Sequence, residues 1–233
     1  MGSAGELNRE GELKKRKVGI VGAGPSWEDA PWGQKGWEFW SMNNLYNRLP
    51  ASKFSRWYEL HTFQMKDRLM LRRGVRRYGA QRVSEYLADI NRLDIPVYMQ
   101  KKWKRMSRSR LFPFKQIMKK YGSYFGCSFA WMTAHALYEH ERGRKVDTIG
   151  YYGVDLVGLE YYKQRPSTEY FIGLAKGMGI KIEIAEDSEL MKMDGIYGYD
   201  ENFLLIDELY VNPPESLRMV INYYQWMEER KVY

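Results

Sequence analysis

The chain has 233 residues, a hydrophobic fraction of 44% and a formal net charge of +8 at pH 7. This composition favours a folded protein with a buried core over a disordered chain, and the basic balance favours anionic partners. The single cysteine, Cys127, excludes an internal disulfide framework and is typical of a cytoplasmic location. No apolar run is long enough for a transmembrane helix, and residues 1–17 lack the apolar core of a signal peptide, so no membrane association is predicted.

Apolar runs and helical spacing predict the elements in chain order. After a disordered basic tail at 1–17, they are strands at 18–21, 37–42 and 55–60, a helix at 83–91, a strand at 95–99, helices at 114–121 and 128–142, a strand at 148–155, a helix at 169–178, a strand at 180–184 and a helix at 216–231. Strands that alternate with helices indicate an α/β fold. We expect a single Rossmann-like domain over 18–233, with a mostly parallel sheet and helices on both faces.

The most informative motif is Gly-Ala-Gly-Pro-Ser at 22–26, directly after the first strand. Two glycines let a backbone turn sharply and approach a ligand closely, and the N–H groups after such a strand can hold phosphate oxygens. Trp27 stands where the dinucleotide fingerprint needs a third glycine, and no Gly-Lys-Ser/Thr follows. The motif therefore predicts a nucleotide site that is neither a full dinucleotide fingerprint nor a P-loop. A tight turn without a ligand is the structural alternative.

Polar side chains follow three further predicted strands. Asn43 and Asn44 follow the second strand, Glu59 and His61 lie at the end of the third, and Asp155 ends the strand at 148–155. Ligands of open α/β sheets bind beyond the carboxyl ends of the strands. The sequence therefore predicts one site at this edge, although each residue alone is also a common cap or turn residue.

The order of these motifs, together with Phe-Gly-Cys-Ser at 125–128 and Tyr-Tyr-Gly-Val-Asp at 151–155, resembles that of the CMP-sialic-acid-dependent sialyltransferases of bacterial pathogens. It is similar, more distantly, to motility-accessory glycosyltransferases and their pterin-pyrophosphokinase relatives. The resemblance spans about residues 18–165. It implies a glycosyltransferase that needs no cofactor and uses a CMP- or UDP-linked sugar as donor. The segment 160–170 also resembles one found in uncharacterised bacteriophage proteins.

Carried onto this chain, the resemblance implies a nucleotide-sugar-binding set made of the glycine loop, one of two asparagines, a helix start and one of two tyrosines near the leaving phosphate. These residues are Gly22, Ala23, Gly24, Pro25, Ser26, Asn43 or Asn44, Ser128, and Tyr161 or Tyr162. Asp155 matches the acidic residue of the family's strand end. The chain departs from the family at Ala23, where the family has asparagine, and it has no histidine after His140, where the family's catalytic histidine lies.

A base for the acceptor hydroxyl must therefore come from elsewhere. His61 is the first candidate, because imidazole titrates near neutral pH and Glu59 lies two residues back on the same strand face. Asp155 is the second candidate. The structural alternatives are a hydrogen-bonded histidine and a helix cap.

No metal site is predicted. The chain has no Asp-x-Asp motif, and His135 and His140 are five residues apart on one predicted helix, a spacing that gives no shared face. The negative charge of the departing phosphate would then be stabilised by tyrosine hydroxyls, helix N-termini and Arg165.

Two basic segments with interleaved aromatic residues suggest contact with a phosphodiester backbone. They supply the predicted DNA-binding residues Arg72, Arg73, Arg76, Arg77, Lys101, Lys102, Trp103, Lys104, Arg105 and Arg108. Together with the nucleotide site they indicate a glycosyltransferase that modifies hydroxymethylated pyrimidines in double-stranded phage DNA. The alternatives are transfer to a glycan or small acceptor, a non-catalytic nucleotide-binding phage factor, and a plain DNA-binding protein. The sequence leaves the oligomeric state open.

Overall fold

The computed structural model describes residues 16–61, 83–104, 106–156, 161, 163–193, 195–196, 198–199, 218 and 222. Its strands are β1 (Lys17–Val21), β2 (Trp37–Met42), β3 (Arg56–Glu59), β4 (Val97–Met99), β5 (Ser109–Leu111), β6 (Thr148–Tyr152) and β7 (Lys181–Ile184). Its α-helices are α1 (Val83–Asn91), α2 (Phe114–Tyr121), α3 (Ser128–Glu141) and α4 (Arg165–Gly177). All seven strands lie in one sheet, in the order β5-β4-β3-β2-β1-β6-β7, and every neighbouring pair is parallel. The predicted α/β class and parallel sheet are confirmed.

Helices cover both faces of the sheet, as predicted. Because successive side chains of a strand point to opposite faces, Trp40 and Tyr58 enter one core with α2, α3 and α4, whereas Phe39 and Trp57 enter a second core with α1. Trp40, Tyr58 and Trp57 are fully buried. The near-continuous apolar character of β1 and the full burial of β3 and β6 follow from this two-sided cover.

The strand order reverses at β1, and this reversal positions the site. From β1 the chain builds outward through β2, β3 and β4 to β5, and then returns to place β6 on the other side of β1. The loops after β1 and β6 therefore lie at the switch point of the strand order, and a crevice opens beside them at the carboxyl edge of the sheet. Open α/β sheets bind their ligands at such a point.

Several element boundaries differ from the sequence prediction, and one strand is additional. Lys17, which was expected in the tail, is the first residue of β1. The strand predicted at 148–155 ends at Tyr152, because Gly153 takes a φ of +64° and turns the chain. Helix α4 begins at Arg165 rather than 169, with a proline in its first turn, where the missing N–H costs nothing. Strand β5 was not predicted, since it lies within the basic segment.

Two predicted elements fall wholly or mostly outside the described residues. The tail at 1–15 lies outside the described residues, and so does the helix at 216–231 except for residues 218 and 222. In the part of the chain that is described, no helix has the length and apolar character needed to cross a membrane.

A buried ion-pair network holds the amino edge of the sheet, opposite the crevice. Glu139 of α3 accepts hydrogen bonds from Arg16 at 2.7 Å, Arg56 at 2.9 Å and Arg144 at 3.0 Å. Arg16 also binds Glu38 of β2 at 2.7 Å. These bonds tie α3 to Arg16, directly before β1, and to Arg56, the first residue of β3, so this end of the molecule has a structural role.

Candidate functional site

The glycine loop after β1 packs directly against the loop after β6. The N–H of Gly22 donates to the carbonyl of Tyr152 at 2.8 Å, and that of Gly24 donates to the carbonyl of Gly153 at 2.9 Å. A Cβ atom on Gly22 would lie 2.1 Å from the Gly153 oxygen, and one on Gly24 would lie 1.9 Å from Oδ2 of Asp155. The two glycines are therefore required by the close approach of two chain segments, whatever the site binds.

Ser26 belongs to the same junction. Its buried hydroxyl donates to Oδ1 of Asp155 at 2.8 Å and accepts the N–H of Gly153 at 2.9 Å. The serine thus fixes the orientation of the Asp155 carboxylate. Gly22, Pro25 and Ser26, which the sequence assigned to nucleotide contact, do not line the cavity described next.

A cavity of about 720 Å³ opens beyond the carboxyl ends of β1 and β6. This volume is in the range of small-molecule and cofactor sites. It is lined by residues from the ends of β1, β2, β3 and β6 and from the starts of α3 and α4: Ala23, Gly24, Met42, Asn43, Asn44, Leu45, Arg48, His61, Gly126, Cys127, Ser128, Phe129, Gly153, Val154, Asp155, Leu156, Tyr161 and Gln164. Eight residues of the predicted site meet here: Ala23, Gly24, Asn43, Asn44, His61, Ser128, Asp155 and Tyr161.

Asn43 presents an acceptor at the wall of this cavity. Its backbone N–H donates to the carbonyl of Tyr58 at 3.0 Å, and its carbonyl accepts the indole N–H of Trp57 at 2.9 Å. Its φ of +54° lies in the left-handed region, which asparagine tolerates better than most residues. The side-chain Oδ1 is buried and has no hydrogen-bond partner among the described residues. An orphaned buried acceptor beside a cavity suits a ligand that brings a donor.

The start of α3 makes one wall of the cavity electrostatically positive. Gly126, Cys127 and Ser128 line the wall, the first turn carries no acidic residue, and no side chain caps the helix end. The N–H groups of the first helical turn have no partner within the helix, and together with the helix dipole they favour an anion there. Arg48 lines the same cavity and is the one lysine or arginine among the described residues that does so.

His61 lines the cavity while Glu59 lies behind it. Oε1 of Glu59 contacts Nδ1 of His61 at 2.6 Å and accepts the backbone N–H of His61 at 3.0 Å. The Glu59 side chain is 1% exposed and that of His61 is 35% exposed. The structure thus brings together the histidine and the carboxylate that the sequence paired, with only the histidine in reach of a ligand.

Other predicted ligand contacts lie away from the cavity or outside the described residues. Arg165 binds Glu169 within α4 at 2.8 Å and the carbonyl of Lys192 at 2.8 Å, and it does not line the cavity. Tyr162 lies outside the described residues. The described residues also hold no group of three or more His, Cys, Asp or Glu side chains that could bind a metal ion.

The basic segment after β4 does not line the cavity either. Trp103 is half-buried in the second core beneath Lys101, whose Nζ lies 4.4 Å from the ring centre, and Arg108 pairs with Asp94 at 2.8 Å. Lys102 and Lys104 are exposed. The remaining predicted DNA-binding residues lie outside the described part of the chain: Arg72, Arg73, Arg76, Arg77 and Arg105.

Sequence reasoning missed Arg48, Cys127 and Gln164 as cavity residues. Arg48 follows a short 3₁₀ turn after β2, where no periodic pattern marks it. Cys127, which the sequence analysis used only to exclude disulfides, lines the cavity, with Sγ 3.1 Å from Oγ1 of Thr168. Gln164 precedes α4, whose start was predicted four residues late; its place before Pro166 was the available signal.

No family model and no curated protein matches the chain. Solved structures that match include the sialyltransferase CstII from Campylobacter jejuni in complex with CMP-3FNeuAc, with 15% identity over 73% of this chain and 81% of that one, and a TM-score of 0.44. The CstII complex with cytidine-5'-monophosphate has 13% identity over 73% and 79% of the two chains and a TM-score of 0.42. An alpha-2,3-sialyltransferase from Campylobacter jejuni in apo form has 12% identity over 81% and 80%, and a TM-score of 0.46. Likeness at this level assigns no activity to this chain, so the function has to be argued from the cavity.

Proposed function

We propose that this chain is a glycosyltransferase that takes a nucleotide sugar as donor and binds it in the cavity at the carboxyl ends of β1 and β6. The observation that carries the proposal is the combination of an anion-binding wall with a carboxylate-held histidine in one cavity. Sugar transfer needs both features, because the donor phosphate must be held and its leaving charge stabilised while a base takes the acceptor proton.

The residues can be assigned to the steps of such a transfer. The acceptor hydroxyl oxygen attacks the anomeric carbon, and its proton passes to Nε2 of His61. The bond between the anomeric carbon and the phosphate oxygen breaks, and the phosphate leaves with the electron pair. The N-terminus of α3 and Arg48 would hold that negative charge. Asp155 remains the second candidate base, although Ser26 already occupies its Oδ1.

Binding can be tested by thermal shift with CMP-, UDP- and GDP-linked sugars. A ligand that binds only the folded protein raises its melting temperature, so the donor nucleotide is the one that does so at the lowest concentration. We expect Arg48→Ala to weaken that binding about 10-fold through the loss of a charge-assisted hydrogen bond. Arg92→Ala is the control, because the Arg92 side chain is 76% exposed and lies outside the cavity. If wild type and Arg48→Ala bind the nucleotide sugar with equal affinity, the proposed anion-binding wall is contradicted.

Turnover tests the assignment of the base. We expect His61→Asn to leave donor binding unchanged and to lower kcat for sugar transfer about 10²- to 10⁴-fold, the usual contribution of general acid–base catalysis. His140→Asn is the control, since His140 contacts the backbone at Val146 and does not line the cavity. Full activity of His61→Asn would move the role of base to Asp155.

The acceptor of the sugar can be identified with the same turnover assay. Phage DNA with hydroxymethylated pyrimidines is the acceptor that the sequence predicts, through exposed basic side chains such as Lys102 and Lys104. Hydroxymethylated duplex DNA and an oligosaccharide acceptor should therefore be offered in parallel. Transfer of a labelled sugar to DNA alone would support a DNA-modifying enzyme. Transfer of the labelled sugar to the oligosaccharide alone would refute that activity in favour of a glycan-modifying one.

A further inference from the structure

We infer that Tyr86 is a positioning residue for His61 and that it acts through Glu59. Helix α1 would thereby set the orientation and the tautomer of the base. The inference rests on the proposed function only in taking His61 as the base of sugar transfer. The geometry of the three side chains stands apart from that role.

The three side chains form a chain of contacts from the core to the cavity. The hydroxyl of Tyr86, a residue 3% exposed, donates to Oε2 of Glu59, a residue 1% exposed. The other oxygen, Oε1, accepts the backbone N–H of His61 at 3.0 Å and contacts Nδ1 at 2.6 Å. Both carboxylate oxygens are therefore engaged, and the group cannot rotate without breaking a bond at one end.

This arrangement fixes the proton on the histidine. A buried carboxylate accepts hydrogen bonds, so the neutral imidazole beside it carries its proton on Nδ1 and keeps the lone pair on Nε2. Among the described residues, the charged or titratable groups near this position are Glu59 from β3, Tyr86 from α1 and the cavity residues Arg48, Cys127, Asp155 and Tyr161. Glu59 contacts Nδ1 directly, so the tautomer depends on how firmly Glu59 is held.

Helix α1 supplies its own control for this inference. Tyr46, in the turn after β2, packs its ring 6.3 Å from that of Tyr86, and its hydroxyl lies 3.4 Å from Asp89 of α1. The helix is thus tied by two tyrosine hydroxyls, that of Tyr86 to Glu59 and that of Tyr46 to Asp89. Loss of either hydroxyl removes one tie of α1, and loss of the Tyr86 hydroxyl removes the bond to Glu59.

The test is nitrogen-15 NMR of the histidine rings in the full chain without any ligand. The chain has three histidines, and His61→Asn assigns the signals of His61. We expect wild-type His61 at neutral pH to be protonated on Nδ1, with a far-downfield proton signal. Glu59→Gln should abolish that signal, Tyr86→Phe should produce a mixture of tautomers, and Tyr46→Phe should match wild type.

Three outcomes would overturn the inference: protonation of wild-type His61 on Nε2, an unchanged tautomer in Tyr86→Phe, or an equal change in Tyr46→Phe. The wild-type spectrum alone decides the first, so the inference stays falsifiable if a variant does not fold.

A second readout connects the tautomer to catalysis. For the nucleotide sugar that binds, Tyr86→Phe should lower kcat about 10-fold and leave KM unchanged, which is the usual cost of removing an outer partner. Tyr46→Phe should leave both constants unchanged. If none of the nucleotide sugars is turned over by wild type, the proposed function fails while the NMR result still decides the role of Tyr86. If wild type turns over a nucleotide sugar and Tyr86→Phe keeps full kcat, the positioning role of Tyr86 is refuted while the proposed function stands.

Discussion

Replacing Gly22 by alanine is expected to destabilise the protein by about 3 kcal/mol or more, although the change adds a single methyl group. The new Cβ would lie 2.1 Å from the carbonyl oxygen of Gly153 and 3.0 Å from the ring of Phe129. Since the closest atom belongs to the backbone, it cannot move aside as the end of a side chain would. The two loops would have to separate, with loss of the bond from the Gly22 N–H to Tyr152.

The measurement is the melting temperature and the urea midpoint of the variant beside those of Gly173→Ala. Gly173 lies exposed in α4, and a Cβ there meets nothing within 4 Å. Alanine at that position should stabilise the helix by about 0.5–1 kcal/mol. For a chain of this size, Gly22→Ala should lower the melting temperature by about 10 °C. A variant as stable as wild type would show that the β1 and β6 loops are not packed as described.

The same contact explains why the glycine motif marks the site. The reason differs from the one that the sequence suggested. The sequence suggested glycines that let a ligand approach the backbone. In the structure Gly22 and Gly24 let the β6 loop approach, and Ser26 then binds Asp155. The motif still marks the site, because closing these two loops creates the crevice and points the Asp155 carboxylate into it.

Much of the fold followed from the sequence, because strong periodicity reflects burial. The bounds of β2, α1 and α2 agree with the prediction residue for residue, and α3 ends one residue early. Strand β5 shows the limit of that reasoning. Its central residue Arg110 and its last residue Leu111 are exposed, so it carries no apolar alternation. It is held by backbone pairing with β4 and by the buried Ser109 hydroxyl, which bonds to the backbone of Trp103 and Met106.

The site was predictable where it lies at strand ends and unpredictable where it lies on turns. Asn43, His61 and Asp155 follow strands, so the topology of a parallel sheet brings them to one edge. Arg48 is placed by a 3₁₀ turn and Tyr86 by the packing of α1 on the second face, and neither position follows from spacing along the chain. Such contacts depend on tertiary structure, which a local pattern does not encode.

Acidification from pH 7 to pH 5 is expected to lower the free energy of unfolding by about 2 kcal/mol through His135 alone. His135 is 4% exposed, and burial lowers its pKa to about 3. The hydroxyl of Tyr58, whose pKa burial raises, lies within hydrogen-bond distance of Nδ1 of the neutral ring, at 2.9 Å. An unfolded chain takes up a proton below about pH 6.5, while the folded chain does not, so stability falls as the pH falls.

Glu139 adds a loss of the same sign at lower pH. Burial alone would raise the pKa of Glu139, but Arg56 and Arg16 overcome that effect and lower it to about 2. The carboxylate therefore contributes stability that is complete above about pH 4.5 and is lost as the pH falls towards 2. The two groups together predict a shallow loss of stability below pH 6.5 that steepens below pH 4.5.

Urea unfolding of wild type, His135→Gln and His140→Gln at pH 7 and pH 5 separates these contributions. Glutamine keeps a hydrogen-bonding side chain beside Tyr58 but does not titrate, so His135→Gln should remove most of the loss between the two pH values. The half-buried His140, five residues on in α3, should matter less because part of its ring stays in solvent. If the two substitutions change the loss of stability between pH 7 and pH 5 equally, the acid sensitivity does not come from His135 beside the ion-pair network. A wild type with no loss at pH 5 would mean that His135 is reached by solvent, and that the amino edge of the sheet is less tightly closed than its contacts with Glu139 imply.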